Sequence, residues 1–318
     1  METLLKINNL NLEFEINDKF YRAIKDLSFE LKKGTIHAVI GESGSGKTMS
    51  VMSIIKLLPK NAKITSGEIL FEGKNLLELK EKEMNKIRGR KIALIPQDPM
   101  TSLDPLYNIE SQMIEAIITH KKCTKKEALD IAVKHLKAVN VYEPEKKIKT
   151  YPFELSGGLK QRVIIATALA LEPDIIIADE PTTALDVTVQ AQILEILKKI
   201  KEEGKSIILI SHDLGVVNSY ADYISIMYSG RIVESAPADI LFKKPKHPYT
   251  KALIEALPYN KNKRLKNIKG SPSPITKIIS GCEFHTRCDF KEAICESKIF
   301  KLCQQEDLSN VACRLYDC

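Results

Sequence analysis

Gly41-Glu42-Ser43-Gly44-Ser45-Gly46-Lys47-Thr48 is the stretch that decides the fold, and it fits the pattern G-x-x-x-x-G-K-[ST]. An apolar run at 36–40 predicts a strand before it, and apolar residues at helical spacing in 49–58 predict a helix after it. Glycines there let the backbone wrap a phosphate chain, and the loop N–H groups attract anions. Lys47 is placed to reach the β- and γ-phosphates, and the Thr48 hydroxyl to bind Mg²⁺. The stretch therefore predicts a nucleotide-binding loop rather than an ordinary glycine turn.

Two carboxylates follow a second apolar run, at 175–178, which predicts a buried strand. Asp179 is predicted to hold Mg²⁺, as the acidic residue after this strand does in such nucleotide hydrolases. Glu180, one residue later, is predicted to polarise the attacking water as general base. The alternative is a pair of acids that cap a helix after a core strand. The phosphate loop upstream favours the catalytic interpretation.

The segment 155–162 reads Leu-Ser-Gly-Gly-Leu-Lys-Gln-Arg and precedes an apolar helical run. Ser156 is a good helix N-cap. Gly157 and Gly158 bare backbone N–H groups for an anion. A chain with one phosphate loop does not need a second anion site for the same nucleotide. This second site makes sense if it closes over ATP held by another subunit.

Together these segments resemble the motifs of the ABC ATPase family, whose signature is LSGGxxQR. Three further positions follow in the family's order. Gln97 comes after a predicted strand at 92–96, Asp186 ends a Thr-Ala-Leu-Asp turn, and His212 comes after a predicted strand at 206–210. They look like the Q-loop, the D-loop and the switch histidine.

The resemblance implies a role for each of these residues. Gln97 would bind Mg²⁺ beside Thr48 and Asp179, and His212 would contact the γ-phosphate. Asp186 and the signature residues at 156–158 would act on the bound ATP. In this family an aromatic side chain of the N-terminal sheet stacks on adenine; Phe14 matches that position best, and Phe20 and Tyr21 are alternatives.

The organisation expected is α/β: a P-loop NTPase of the ABC ATPase type, with an N-terminal antiparallel β subdomain, an inserted helical subdomain and a small Cys-rich C-terminal extension. The nucleotide-binding domain would cover 1–245, with the helical subdomain at about 98–170, and the extension would cover 246–318. Helices are predicted at 124–139 and 187–203. The 318 residues are 44% apolar, carry a net charge of +7, and contain no run near the ~18 apolar residues that span a bilayer.

Six of the seven cysteines fall between 282 and 318. The chain is expected to be cytosolic, where disulfides are disfavoured and metal binding is favoured. The spacing does not fit paired C-x-x-C zinc sites. Four thiolates without such pairs could hold a [4Fe–4S] cluster. Zinc, or reduced cysteines without metal, are the alternatives.

The run His-Pro-Tyr-Thr-Lys-Ala-Leu at 247–253, Gly-Ser-Pro at 270–272 and the cysteines resemble the C-terminal extension of ATPase subunits from oligopeptide, dipeptide and nickel importers. In that subfamily such cysteines can ligate a [4Fe–4S] cluster. The ligands implied here are Cys282, Cys288, Cys295 and Cys313. Cys303 is an alternative fourth ligand, because 297–299 and Asn310 depart from the subfamily pattern and Cys303 and Cys318 are additional.

The resemblance implies an ATPase subunit that powers import of di- or oligopeptides, with nickel import as the alternative. It would lie at the cytoplasmic face of the membrane as a peripheral subunit. Its partners would be two transmembrane permease subunits, a second and distinct ATPase subunit, and indirectly a substrate-binding protein. A homodimer is chemically possible. A soluble ABC ATPase acting on nucleic acid or ribosomes is the alternative of another class, but there is no coiled-coil insertion and only one cassette.

Overall fold

The computed structural model describes residues 2–183, 185–257 and 268–316. Its strands, numbered in chain order, are β1 (Thr3–Ile16), β2 (Lys19–Lys32), β3 (Ile36–Ile40), β4 (Ala62–Phe71), β5 (Lys74–Asn75), β6 (Ile92–Ile95), β7 (Ile175–Asp179), β8 (Ser206–Ser211), β9 (Tyr223–Tyr228), β10 (Arg231–Pro237), β11 (Cys303–Gln304) and β12 (Asn310–Val311).

The α-helices are α1 (Lys47–Ile54), α2 (Glu81–Ile87), α3 (Ile109–His120), α4 (Lys125–Ala138), α5 (Pro144–Lys147), α6 (Gly157–Leu169), α7 (Val187–Glu202), α8 (Leu214–Val217), α9 (Ala238–Lys243) and α10 (Pro248–Glu255). Short 3₁₀ helices occur at Leu76–Glu78, Pro152–Glu154, His285–Arg287, Ala293–Glu296 and Arg314–Tyr316. The chain divides into two compact units: unit 1 joins Met1–Glu78 to Ile210–Cys318, and unit 2 is Leu79–Leu209.

Unit 1 begins with an antiparallel sheet in the order β2-β1-β4-β5. The β1–β2 hairpin turns at Asn17 and Asp18, which both adopt positive φ, the conformation that tight hairpin turns require. Burial alternates along part of each strand, at Leu5 and Ile7 in β1 and at Leu27, Phe29 and Leu31 in β2, as the period of two in a strand requires. The N-terminal strands of unit 1 therefore form an antiparallel sheet.

A second set of strands in unit 1 carries the phosphate loop. β3 is fully buried and pairs in parallel with β9, β9 pairs antiparallel with β10, and β10 pairs with β12, which pairs with β11. A strand buried on both faces reads as a continuous apolar run, which is how 36–40 appears in the sequence. Strands β11 and β12, near the C-terminus, therefore continue the sheet of the strands around the loop.

Unit 2 contains parallel strands β6 and β7 and most of the long helices. Helix α4 packs against α3, α5 and α6, and α3 to α6 fall within the range predicted for the helical subdomain. Thr124 caps α4 in a capping box with Glu127, as its sequence indicates. Strand β8 runs from the end of unit 2 into unit 1. Across the described part of the chain, no helix combines the length and apolar character needed to cross a membrane.

Candidate functional site

The phosphate loop joins β3 to α1 and folds around the ammonium group of Lys47. Lys47 is 4% exposed, and its Nζ donates to the carbonyl oxygens of Gly41 at 2.8 Å and Glu42 at 3.1 Å. The Ser45 hydroxyl is buried and has no hydrogen-bond partner among the described residues. A buried polar group without a partner is unfavourable by about 1–3 kcal/mol. A buried cation and an unsatisfied hydroxyl in one loop are the chemistry that a phosphate ligand would satisfy.

Two glycines of this loop leave no room for a side chain. A Cβ atom on Gly41 would lie 2.2 Å from the carbonyl oxygen of Met227 in β9. Gly46 has a φ of +103°, and a Cβ there would lie 2.8 Å from Met227 Cε and 3.1 Å from the carbonyl oxygen of Ala23 in β2. The pattern G-x-x-x-x-G is therefore enforced here by close packing against β9 and β2 as well as by backbone conformation.

The second residue of the loop, Glu42, is held by two residues of the C-terminal region of unit 1. Arg287 donates from Nη1 to Oε2 at 2.5 Å and from Nη2 to Oε1 at 3.0 Å. The backbone N–H of Glu42 donates to the hydroxyl oxygen of the fully buried Tyr249 at 3.1 Å. The hydrogen bonds from Arg287 to Glu42 are the main reason that the pKa of this guanidinium is raised. Neither partner of Glu42 was predicted from the sequence, since His-Thr-Arg-Cys carries no local sign of contact with a loop 245 positions earlier.

Unit 2 places the predicted carboxylates at the end of β7. Asp179 is 2% exposed, and Glu180 adopts a φ of +44°. One oxygen of Glu180, Oε2, accepts from Gln97 Nε2 at 3.2 Å and from Thr183 Oγ1 at 3.0 Å. The structure thus brings two of the predicted catalytic residues, Gln97 and Glu180, into direct contact. Thr183 was not singled out as a site residue.

The remaining predicted residues lie on separate elements. Asp186 caps α7 by accepting from the backbone N–H of Val189 at 3.0 Å. In unit 1, His212 is exposed just after β8. Phe14 is half-buried on β1, where it is paired with Tyr21 on β2 and Ala62 on β4. Phe20, the alternative for stacking on adenine, is 64% exposed.

The predicted signature forms the start of α6. Ser156 is its N-cap and accepts from the backbone N–H of Leu159 at 3.4 Å, so the predicted cap is confirmed. A Cβ on Gly158 would lie 2.7 Å from Cγ1 of Val189 in α7, so close helix packing requires this glycine. Arg162 has a structural role, because its guanidinium donates to the carbonyl oxygen of Val139 and, at 2.8 Å, to Gln192 Oε1.

Four of the cysteines line one cavity of about 20 Å³ in unit 1. They are the predicted ligands Cys282, Cys288, Cys295 and Cys313. Burial raises the pKa of Cys282 to about 12, and it also raises the pKa values of Cys288 and Cys313.

The two remaining C-terminal cysteines are Cys303 and Cys318. Cys303 is disulfide-bonded, contrary to the expectation that disulfides are disfavoured in this chain. That bond removes Cys303 as an alternative fourth ligand, because a metal ligand must be a thiolate. Cys318 lies outside the described residues. Within the described ranges, no group of three or more His, Cys, Asp or Glu side chains is arranged to hold a metal ion.

Two known families match different parts of the chain. Residues 24–183 match the ABC transporter family, and residues 233–295 match the C-terminal region of oligopeptide/dipeptide transporters. The first match contains the phosphate loop, the signature and the two carboxylates. The second contains Tyr249, Arg287 and three of the four cysteines of the cavity.

Individual relatives are similar to this chain over nearly its full length. A dipeptide transport ATP-binding protein, DppD, of Bacillus subtilis is 43% identical over 321 residues, covering 100% of this chain and 96% of its own. A probable peptide ABC transporter ATP-binding protein of Sinorhizobium fredii is 42% identical over 317 residues, covering 98% and 95%. Among solved structures, a dimeric ATP-binding cassette in a post-hydrolysis state with ADP and phosphate is 30% identical, with a TM-score of 0.67 over 74% of this chain and 98% of that one. The chain belongs to the ABC transporter ATPases, hydrolyses ATP, and carries the C-terminal region of the oligopeptide/dipeptide transporters.

Proposed function

We propose that this chain is the ATP-hydrolysing subunit of an importer of di- and oligopeptides. The observation that carries the proposal is the full-length similarity to a dipeptide transport ATP-binding protein, including the C-terminal region. An oligopeptide transport ATP-binding protein of Bacillus subtilis is also similar, at 44% identity over 90% of this chain and 82% of its own. These relatives favour peptides over nickel, and they favour transport over action on nucleic acid or ribosomes.

In this proposal each motif keeps the role of its family. Lys47 binds the β- and γ-phosphates, and the backbone of the loop at 41–48 surrounds them. Thr48, Asp179 and Gln97 supply oxygen ligands of the kind that Mg²⁺ prefers. When bound, the ion neutralises charge on the transferred phosphoryl group. The buried Lys47 and the unsatisfied Ser45 hydroxyl support an anion at this loop.

Water activation is assigned to Glu180, with His212 as a contact of the γ-phosphate. The hydrogen bond from Gln97 to Glu180 supports a shared role for these two side chains. The same hydrogen bond orients the carboxylate, and we assign proton removal from water to Glu180. We assign stacking on adenine to Phe14, and we assign Asp186 and 156–158 to the ATP that a second ATPase subunit holds.

The assembly we propose contains two transmembrane permease subunits and a second, distinct ATPase subunit, with a substrate-binding protein acting indirectly. The chain lies at the cytoplasmic face of the membrane. Its nucleotide-binding domain is assigned to 1–245, and its extension to 246–318. The relatives are ATP-binding proteins of transporters, which supports a separate membrane component.

We further propose that Cys282, Cys288, Cys295 and Cys313 hold a [4Fe–4S] cluster. The convergence of these four thiols on one cavity supports this ligand set. These four residues would hold the cluster as thiolates, the ligands that iron–sulfur clusters take in proteins.

The test of the transport proposal is uptake in cells that encode this chain. Deletion should abolish uptake of a labelled dipeptide and leave ⁶³Ni²⁺ uptake unchanged. A plasmid copy should restore dipeptide uptake, whereas a Glu180→Gln copy made in equal amount should not. Loss of nickel uptake with dipeptide uptake intact would refute the peptide assignment. Affinity purification from native membranes tests the partners: two permeases and a second ATPase are expected, whereas permeases with this ATPase alone would indicate a homodimer.

A further inference from the structure

Glu42 places a carboxylate inside a loop that binds a polyanion. The residue lies directly after Gly41, and its own carbonyl oxygen accepts from the Lys47 ammonium group. A fixed negative charge at this position opposes the binding of phosphate, because like charges repel most strongly where water is partly excluded. The loop therefore needs a device that neutralises Glu42 or turns it away from the nucleotide.

Arg287 has the geometry of such a device. Its two terminal nitrogens donate to the two carboxylate oxygens of Glu42 in parallel, which is the strongest arrangement for an arginine and a carboxylate. The Arg287 side chain is 4% exposed, whereas that of Glu42 is 26% exposed. The pair is thus shielded from solvent on the arginine side, where screening by salt is weak.

The guanidinium is fixed by more than this one pair. Nε donates to the carbonyl oxygen of Lys269 at 2.8 Å, and Nη2 also donates to the carbonyl oxygen of Gly270 at 3.3 Å. Nη1 also reaches the hydroxyl of Tyr228 at 3.3 Å, and the guanidinium lies over the Tyr228 ring, 5.7 Å from its centroid. Because Arg287 is anchored by its surroundings, we infer that it holds Glu42 in place and not the reverse.

The backbone N–H of Glu42 also has a C-terminal partner. It donates to the Tyr249 hydroxyl. Tyr249 is fully buried and packs edge-on against Tyr228. The backbone and the side chain of Glu42 are thus both bound by C-terminal residues.

We propose that Arg287 is a positioning residue of the ATP site, which neutralises Glu42 and holds the phosphate loop in the form that accepts nucleotide. Arg287 lies in a 3₁₀ helix directly before Cys288. ATP affinity therefore depends on the fold of the segment that contains the cysteine cavity. The proposal rests on ATP binding at this loop and does not depend on the transported substrate.

The test measures ATP affinity of the full chain, without turnover, by titration with a fluorescent ATP analogue and Mg²⁺. Arg287→Ala should weaken binding about tenfold, which corresponds to about 1.4 kcal/mol. Glu42→Gln should lose clearly less affinity than Arg287→Ala, because it removes the charge that needs Arg287. The double variant Arg287→Ala/Glu42→Gln should regain most of the lost affinity. A purely structural role for Arg287 predicts no such rescue.

Two further variants test whether the paired donors of Arg287, and not a general change in this region, determine ATP affinity. Arg287→Lys keeps the charge but loses the paired donors, so an intermediate loss is expected. Lys269→Ala breaks an exposed ion pair with Asp289 in the same region and should leave ATP affinity unchanged.

Thermal unfolding of each variant identifies any that fail to fold. If Arg287→Ala misfolds, the comparison of Glu42→Gln with the wild type decides: a tenfold loss in that variant would overturn the charge argument. Unchanged affinity in a folded Arg287→Ala, or a double variant as weak as Arg287→Ala, would also overturn it.

Discussion

Replacing Glu180 by glutamine separates the basicity of this side chain from its contacts. In the structure, Oε2 accepts from both Gln97 and Thr183. The amide oxygen of a glutamine can accept the same two hydrogen bonds, so the local structure should be kept. The residues of the phosphate loop are unchanged, so ATP affinity should stay within about twofold of the wild type.

Turnover should respond very differently. General base catalysis typically contributes about 10²–10⁴ in rate, which is about 3–5 kcal/mol of activation free energy. Phosphate release from the Glu180→Gln chain, measured with saturating ATP and Mg²⁺ in the assembled transporter, should fall by that factor. Thr183→Val is the matched control, because it removes one hydrogen bond to the same oxygen and should slow turnover only about two- to tenfold. Phosphate release within threefold of the wild type in Glu180→Gln would show that another group activates the water.

Three further changes test the strand before the loop, the loop itself and the cysteine cavity. His37 is buried in β3, and burial lowers its pKa to about 4. Below about pH 6.5 the unfolded chain therefore binds more protons at this residue than the folded chain, so the free energy of unfolding should fall toward pH 4 by up to about 1.4 kcal/mol per pH unit. His37→Gln should flatten this slope when stability is measured by urea titration. Gly46→Ala should lower the free energy of unfolding by about 2–4 kcal/mol through strain and overpacking. Gly34 also has a positive φ, but no described atom lies within 4 Å of a Cβ built there, so Gly34→Ala should lower it by less than about 1 kcal/mol. Equal losses in the two variants would show that close packing is not what requires Gly46. Anaerobically purified chain should be brown and contain iron and acid-labile sulfide, both lost in Cys288→Ser and kept in Cys123→Ser; a colourless wild type with stoichiometric zinc would refute the cluster.

Features with a local physical cause could be predicted from the sequence. Helices predicted at 124–139 and 187–203 run over 125–138 and 187–202, because capping residues and apolar spacing act within a few positions. The buried strands at 36–40 and 175–179 were visible as apolar runs for the same reason. Most motifs could be predicted because each is a short run of neighbouring residues.

Features made by distant parts of the chain could not be predicted. Neither Glu42 nor Arg287 carries a pattern that indicates the other. Strands β11 and β12 are two residues each, too short to show a period of two. The disulfide at Cys303 depends on which residues the fold brings together, and the argument from cellular redox conditions pointed the other way.

The long separation between Glu42 and Arg287 has a consequence for synthesis of the protein. The two residues are 245 positions apart. At about 5–20 residues per second, the ribosome needs about 12–50 s to add Arg287 after Glu42. During that interval the emerging loop lacks the Arg287 contact, and the unneutralised Glu42 carboxylate weakens nucleotide binding. A nascent chain arrested before residue 287 should therefore retain less ATP than the released protein, so that binding competence is acquired only when translation is nearly complete.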